Sequence, residues 1–298
     1  MKINLSIPSF LLLIMLLLQN AVFCATGKQP IFFGVLPLER PETMFERFYP
    51  LIDYLERETG LDFELKLYPT KGARGGYTSA VKDIVSGVTP FAYLASVTSA
   101  QARHHNPKVQ VLVCAQREGS PTYIGQIAVR KDSGIKRVED LRGKRVIGAS
   151  KSSTSGNLMP AGYLLEKGIK TSEFAALEFA GSHDKAALAV LAGDYDACWI
   201  NEKNFNKFRN QGAGLVSIYN HPPVPEFPIC INVDAIHPAA IDKVRRALLK
   251  MHDTDLTAIQ AIDDKYEKWV PITWKSYDPV KKMIDKVHGQ AFYSLTSE

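Results

Sequence analysis

The stretch RVIGASKSSTSGNLMPAGYLLEK, residues 145–167, combines a short apolar strand, a loop of small hydroxylated residues and an amphipathic helix. The loop, Lys151–Gly156, contains four consecutive Ser or Thr residues. The first N–H groups of a helix lack intrahelical partners and carry partial positive charge, and hydroxyl groups there add O–H donors. This arrangement predicts a site for an anion. The alternative is a plain N-cap, for which one Ser or Thr would suffice.

A second loop of the same kind is GSHD, residues 181–184, between a predicted strand at 176–179 and a predicted helix at 185–192. His183 adds an imidazole donor to it. A capping or surface histidine is the alternative. The two loops agree in geometry, so we expect them to lie at neighbouring strand ends.

Short apolar strands alternate with amphipathic helices along the whole chain, which predicts an α/β fold. The longest predicted helix is 41–59, with Gly60 as its stop. The predicted strands are 31–36, 63–68, 91–94, 109–115, 123–129, 145–149, 176–179, 197–200 and 229–233. The other predicted helices are 77–85, 158–167, 185–192 and 239–251, with one helical turn at 138–141.

Prolines mark two crossings of the chain, at Ser120-Pro121 and between Pro222 and Pro228. These crossings predict two α/β lobes joined by two crossover strands, with a ligand cleft between them. The first lobe would contain residues 27–120 plus 226–298, and the second lobe would contain 121–225.

The N-terminus indicates export. A positive start precedes a nine-residue apolar run, Phe10–Leu18, which is too short to span a bilayer and matches a secretory signal peptide. We expect residues 1–24 to be this signal, with cleavage after Cys24. The alternative is a lipoprotein signal with Cys24 acylated, although Phe23 is large for the position before a lipidated cysteine. Cys114, Cys198 and Cys230 lie in apolar strands and are expected to be buried thiols.

Composition excludes several classes of protein. Lys plus Arg (36) exceed Asp plus Glu (31) by only five, too few for a nucleic-acid-binding surface. There is no zinc-type CxxC pair and no GxxxxGK[ST] loop, so we expect no metal and no cofactor.

Two further candidates are weaker. Ser153 or Ser155 with His183 and Asp184 is a candidate hydrolase triad, but Ser155 lacks the GxSxG elbow and Asp184 adjoins His183 in sequence. Lys71, Arg74 and Gly75–Tyr77 form a basic, glycine-rich helix start, which is either a second anion contact or an exposed loop.

With these residues considered, the chain resembles the phosphate- and phosphonate-binding periplasmic proteins of ABC transporters. The Ser-Thr-Ser-Gly loop followed about thirty residues later by Gly-x-His is the specific part of the likeness. The matching motifs are Phe33–Pro37, Pro50–Gly60, Gly119–Tyr123, Asp140–Lys144, Ser153–Gly156, Gly181–Asp184 and Gly193–Ala197.

The resemblance implies a type II periplasmic-binding-protein fold that closes on a phosphorus oxyanion, phosphate, phosphite or an alkyl phosphonate. It implies a periplasmic, non-enzymatic monomer that delivers its ligand to an ABC permease; a membrane sensor is the alternative partner. The implied ligand-binding residues are Tyr77, Tyr93, Ser153, Thr154, Ser155 and His183. Tyr93 is included because the first-lobe aromatic contact comes from it or is lost at Leu94.

The sequence departs from the family where relatives that take aminoalkyl phosphonates place acidic residues. Lys203 and Phe227 align with those positions, and neither pairs with a cation. We therefore expect a ligand without an ammonium group. A one-residue shift of the alignment would bring in Glu202 or Glu226 and reverse this expectation; Glu202 is retained as a candidate ligand contact.

Overall fold

The computed structural model describes residues 29–69, 76–212 and 214–295. The predicted signal peptide, with Cys24, and the candidate residues Lys71, Arg74 and Gly75 lie outside these ranges. In the part of the chain that the structure describes, no helix has the length and apolar character needed to cross a membrane.

The described chain contains thirteen strands and nine α-helices. The strands are β1 (Ile31–Val35), β2 (Phe63–Leu67), β3 (Phe91–Tyr93), β4 (Val109–Arg117), β5 (Thr122–Tyr123), β6 (Gly125–Arg130), β7 (Arg145–Gly148), β8 (Ala176–Phe179), β9 (Ala197–Asn201), β10 (Leu215–Asn220), β11 (Val224–Pro225), β12 (Pro228–Asn232) and β13 (Tyr266–Val270). The helices are α1 (Pro41–Thr59), α2 (Gly76–Ser86), α3 (Ser96–His105), α4 (Met159–Glu166), α5 (His183–Ala192), α6 (Glu202–Asn210), α7 (Pro238–Thr254), α8 (Leu256–Gln260) and α9 (Asp278–Val287).

Two mixed sheets organise these elements and confirm the predicted α/β class with two lobes. The first lobe is built on a six-stranded sheet of order β13-β4-β12-β3-β1-β2, and the second on a five-stranded sheet of order β10-β6-β9-β7-β8. Within the first sheet β1 runs parallel to β2 and β3; within the second, β7 runs parallel to β8 and β9. Apolar clusters cover both faces of each sheet.

The two chain crossings between the lobes form a ribbon of their own. The short strands β5 and β11 pair antiparallel, with Tyr123 opposite Val224 and Thr122 opposite Pro225. The prolines of this region fit an edge ribbon because proline lacks an N–H for a central ladder. The predicted connection of the lobes by two crossover strands is therefore confirmed.

Helix α1 shows how far apolar periodicity determined the local structure. It begins at Pro41 and ends at Thr59, as predicted, with Gly60 in the left-handed region at φ 65°. Its predicted apolar face is buried in the core; the residues are Met44, Phe48, Leu51, Ile52 and Leu55.

Other elements differ from the predictions. Helix α3 was missed because its buried face is made of small residues, with Ser99 Oγ donating a hydrogen bond to the backbone oxygen of Ala95 (2.8 Å). Helix α6 and strand β10 were missed as well. The predicted strand 123–129 is divided at Ile124 into β5 and β6, and the predicted helix 158–167 is shorter and preceded by a π-helical turn, Thr154–Leu158. The three cysteines Cys114, Cys198 and Cys230 are buried thiols, as predicted.

Helix α9 connects the lobes next to the two chain crossings, in a cluster that includes Tyr123 and Val224. Its Val280 and Ile284 are fully buried in an apolar cluster with Leu158 and Met159 of the second lobe. Lys286 on the same helix pairs with Glu166 at 2.8 Å. The C-terminal helix therefore contributes apolar packing to both lobes.

We predict that Ile284→Ala lowers the free energy of unfolding by about 2–5 kcal/mol, because it leaves a cavity in the cluster that joins the lobes. Urea unfolding followed by circular dichroism measures the change. Leu256→Ala, at an exposed position of α8, is the control. A loss for Ile284→Ala no greater than that of the control would contradict this role of α9.

Candidate functional site

A cleft of about 830 Å³ is lined by residues of both lobes and lies at the carboxyl ends of β1, β3, β7, β8 and β9. Ligands of α/β proteins bind at this end of a sheet, and the volume lies in the range of small-molecule sites. More Lys and Arg than Asp and Glu line the cleft. Six of the seven predicted site residues line it: Tyr77, Tyr93, Ser153, Thr154, Ser155 and His183.

The hydroxylated loop follows β7 and leads into the π-helical turn. Ser153 Oγ accepts a hydrogen bond from the Gly156 N–H at 2.9 Å, so this residue is an N-cap, as the alternative interpretation required. A capping serine still has its own O–H to donate. Asn157 Nδ2 donates a hydrogen bond to the backbone oxygen of Lys151 at 2.7 Å, which stabilises the conformation of the loop.

Thr154 goes beyond capping. The residue is 2% exposed, and its buried Oγ1 forms no hydrogen bond of good geometry among the described residues, although the Tyr123 hydroxyl interacts with both Thr154 and Ser155. A buried hydroxyl without a well-formed hydrogen bond costs free energy, so Thr154 retains the capacity to bind a polar group that enters the cleft. Ser155, also 2% exposed, lies beside it on the same turn.

Two glycines allow the loop to pack this closely. A Cβ on Gly156 would lie 2.5 Å from Ala149 Cβ and 2.9 Å from Ser153 Oγ. A Cβ on Gly125 would collide with Ser155 Cβ and lie 2.8 Å from His221 Nε2. Any side chain at either position would push the hydroxyls out of place.

His183 is the first residue of α5, and its loop lies against the hydroxylated loop. The Gly181 N–H donates to the Ala149 oxygen at 2.8 Å, which continues the parallel pairing of β7 and β8 beyond the strands. His183 Nδ1 accepts a hydrogen bond from the Asn201 N–H at 3.1 Å, so Nε2 carries the ring proton. Burial lowers the pKa of His183 to about 4, against a smaller opposing effect of Asp184. At neutral pH the ring is therefore an uncharged donor.

The first lobe contributes aromatic side chains. Tyr77, near the start of α2, meets Ser150 of the second lobe, and burial raises the pKa of its hydroxyl to about 12 against the opposing hydrogen bond with Ser150. Tyr93 lies deeper. Its hydroxyl pairs with that of Tyr266 at 2.9 Å, and its ring stacks on Phe227 with centroids 5.4 Å apart. Tyr93 thus lines the cleft with its hydroxyl already engaged and its ring packed against Phe227 and Phe48.

Glu202 lies outside the cleft, in contrast to the expectation for it. It borders a separate shallow depression with Ile124, Gln126 and Phe205. Its backbone N–H is bonded to the Ile124 oxygen as α6 begins, and this turn aims the next residue, Lys203, at the cleft instead. The structure does not bring Glu202 together with the other candidate residues.

The sequence analysis missed a buried charged cluster at the base of the cleft. Arg117 ends β4 and Glu226 follows β11, so each stands at one of the two crossings; Arg117 Nη1 lies 3.7 Å from Glu226 Oε1. Tyr266 donates to Glu226 Oε2 at 3.3 Å. Burial raises the pKa of Glu226 to about 7, although the charge of Arg117 opposes the rise. A charged residue near each proline-marked crossing was the signal in the sequence that would have identified this pair.

The triad of Ser155, His183 and Asp184 is not assembled in the structure. Asp184 pairs with Lys207 at 3.0 Å and does not orient His183, whose Nδ1 is occupied by the Asn201 N–H. Within residues 29–69, 76–212 and 214–295, no group of three or more His, Cys, Asp and Glu side chains is placed to hold a metal ion. The site is equipped with hydrogen-bond donors.

Known proteins share this chain's sequence pattern. The family model for the periplasmic substrate-binding proteins of phosphonate ABC transporters matches residues 33–277. The phosphate-import protein PhnD of Mycolicibacterium smegmatis is 26% identical over 281 residues, which cover 86% of this chain and 85% of that protein. A probable phosphite-binding protein, PhnD1, of Prochlorococcus marinus is 26% identical over 202 residues, which cover 63% of this chain and 65% of the relative.

Solved structures share the fold. PhnD1 of Prochlorococcus marinus in complex with methylphosphonate has a TM-score of 0.74 at 18% identity, over 88% of this chain and 99% of that chain. A binding-protein component of an ABC phosphonate transporter from Pseudomonas aeruginosa has a TM-score of 0.72 at 19% identity, over 90% of each chain. This likeness confirms the predicted type II periplasmic-binding-protein fold.

We predict that Glu226→Gln removes a pH-dependent component of stability. The folded state raises the Glu226 pKa from about 4.5 to about 7, so its contribution is fully present below pH 4.5 and is lost as pH rises through 7. From pH 5 to 8 the difference in unfolding free energy should shift by about 2.5 kcal/mol in favour of the glutamine variant.

Urea unfolding of both proteins across this pH range measures the shift. Glu64→Gln, at an exposed position of β2, serves as the control. A difference between wild type and Glu226→Gln that is constant with pH would contradict the raised pKa.

Proposed function

The chain belongs to the periplasmic substrate-binding proteins of phosphonate ABC transporters, and on that basis we propose that it captures a small phosphorus oxyanion in the described cleft. The ligand is phosphate, phosphite or a small alkyl phosphonate. The two lobes close on it, and the closed form delivers it to an ABC permease in the membrane.

The observation that carries this proposal is a group of buried hydroxyls in the cleft: Thr154 Oγ1, which forms no hydrogen bond of good geometry among the described residues, and the Tyr123 hydroxyl that interacts with it. Ser153 and Ser155 flank Thr154, and His183 contributes an uncharged N–H from the neighbouring loop. An oxyanion accepts several hydrogen bonds at once, and the helix starts in this region supply partial positive charge. Such a site holds an anion without burying a cluster of cations.

The same donors support binding without catalysis. His183 presents a proton instead of a lone pair, so it stabilises a negatively charged oxygen and does not activate Ser155 as a nucleophile. We propose accordingly that the protein is not an enzyme and needs no cofactor.

The proposal includes the arrangement of the whole protein. Residues 1–24 are the signal peptide that directs the chain to the periplasm, and a lipid on Cys24 is the alternative to cleavage after it. The first lobe comprises residues 27–120 plus 226–298, and the second 121–225. The protein acts as a monomer, with the permease as its partner and no role in nucleic-acid binding.

The ligand lacks an ammonium group, as the sequence comparison with aminoalkyl-phosphonate-binding relatives predicted, but for a different reason. Both Glu226 and Asp263 line the cleft, so carboxylates are present. Each already has a cationic partner within the chain, Arg117 for Glu226 and Lys203 for Asp263.

We predict that Thr154→Val weakens binding of the best ligand about 10- to 100-fold, because a hydrogen bond to a charged group contributes about 1.5–3 kcal/mol. Calorimetric titration with phosphate, phosphite, methylphosphonate, 2-aminoethylphosphonate and sulfate identifies that ligand and measures the loss. The free energy of unfolding without ligand should change little, because the hydroxyl that is lost forms no hydrogen bond of good geometry among the described residues.

Thr89→Val is the matched control. Thr89 Oγ1 is likewise buried without a hydrogen bond of good geometry among the described residues and likewise interacts with a tyrosine, Tyr68, but Thr89 does not line the cleft. The proposal fails if Thr154→Val binds as the wild type does, or if the wild type binds none of the five anions.

A further inference from the structure

Lys203 and Asp263 form an ion pair across the cleft. Lys203 belongs to the first turn of α6, next to β9 of the second lobe, whereas Asp263 precedes β13 of the first lobe. Their Nζ and Oδ2 atoms are 2.7 Å apart, and both residues line the cleft.

The acidic partner of this ion pair is the more buried of the two. The Asp263 side chain is 12% exposed and that of Lys203 is 37% exposed. Asp263 is also fixed by its own turn, where its Oδ1 accepts from the Lys265 N–H at 3.0 Å. Burial acts to raise the pKa of Asp263, but the hydrogen bond and charge of Lys203, with help from Arg117, hold it below the usual value. Asp263 is therefore an ionised carboxylate that is largely buried.

At this end of the cleft each of the two carboxyl groups lies beside a cation of the protein. Arg117 faces Glu226, and Lys203 faces Asp263. A ligand that brought its own cation here would leave one positive charge without a partner, at a cost that grows with burial. Removal of Lys203 would instead leave Asp263 with an unpaired negative charge.

We infer that Lys203 is a specificity-determining residue: its ammonium group occupies the position beside Asp263 that the cationic tail of a ligand would otherwise take. The cleft therefore selects phosphorus oxyanions without a cationic group, and the chain itself supplies the contact between the lobes that such a tail would have made. This inference rests on the proposed function, since it concerns the ligand of the same cleft.

Lys203→Ala tests the inference by calorimetric titration with methylphosphonate and 2-aminoethylphosphonate, which share a phosphonate head and differ in the ammonium group. The affinity of the variant for 2-aminoethylphosphonate, relative to methylphosphonate, should rise at least tenfold over the wild-type ratio. The double variant Lys203→Ala/Asp263→Ala should lose this gain. Lys203→Ser should reproduce the single variant, and thermal melting confirms that each protein is folded.

Lys207→Ala is the matched control. Lys207 lies one turn further along α6, also lines the cleft and also pairs with a carboxylate, Asp184 at 3.0 Å, but it does not contact Asp263. Its removal takes away the same charge without freeing that carboxylate, so the ratio of affinities should stay at the wild-type value.

Three results would overturn the inference. One is an unchanged ratio in Lys203→Ala, which would also be the result if Lys203 bound the oxyanion directly and both ligands lost affinity alike. A second is a gain that persists in the double variant, and a third is an equal gain in Lys207→Ala. A wild type that binds neither phosphate, phosphite nor methylphosphonate would overturn the proposed function and this inference with it, whereas an unchanged ratio overturns the inference alone.

Discussion

The parallel pairing of β7 with β8 is the constraint on which the site depends. It continues past the strands through hydrogen bonds from the Ala180 N–H to the Gly148 oxygen (3.0 Å) and from the Gly181 N–H to the Ala149 oxygen (2.8 Å). Two loops about thirty residues apart in sequence are thereby held side by side. Hydroxyls of one loop and the imidazole of the other line the same cleft because the backbone leaves them no other arrangement.

The contacts between the lobes are of two kinds. Around α9 and the β5–β11 ribbon, which carries both chain crossings, they form an apolar cluster. Across the cleft the contacts are polar: Tyr77 meets Ser150, and Lys203 pairs with Asp263. Water replaces polar contacts at little cost but does not replace apolar burial. Separation of the two lobes at the cleft therefore costs little free energy, and such a motion is expected of a receptor that closes on its ligand.

The base of the cleft contains buried charged residues beside the two crossings between the lobes. Buried charges need partners, and here each carboxylate has a cation within the protein. The ionised form of Glu226 is the least stabilised of them, because the effect of burial on its pKa outweighs the opposing effect of Arg117 and raises the pKa to about 7. The proposed oxyanion site, by contrast, consists of neutral hydroxyls and a neutral imidazole. In this proposal, charge compensation within the protein and anion recognition rest on different groups.

The sequence by itself determined the elements with strong periodicity and the two loops that bear the donors. Helix α1 and the Ser153–Ser155 and His183 loops needed only local pattern, since capping and apolar spacing act within a few residues. Tertiary structure decided that Glu202 turns away while Lys203 enters the cleft, and that Arg117 and Asp263 meet partners over a hundred and about sixty residues distant along the chain. Pairing of that kind depends on sheet order and lobe packing, which no local pattern specifies.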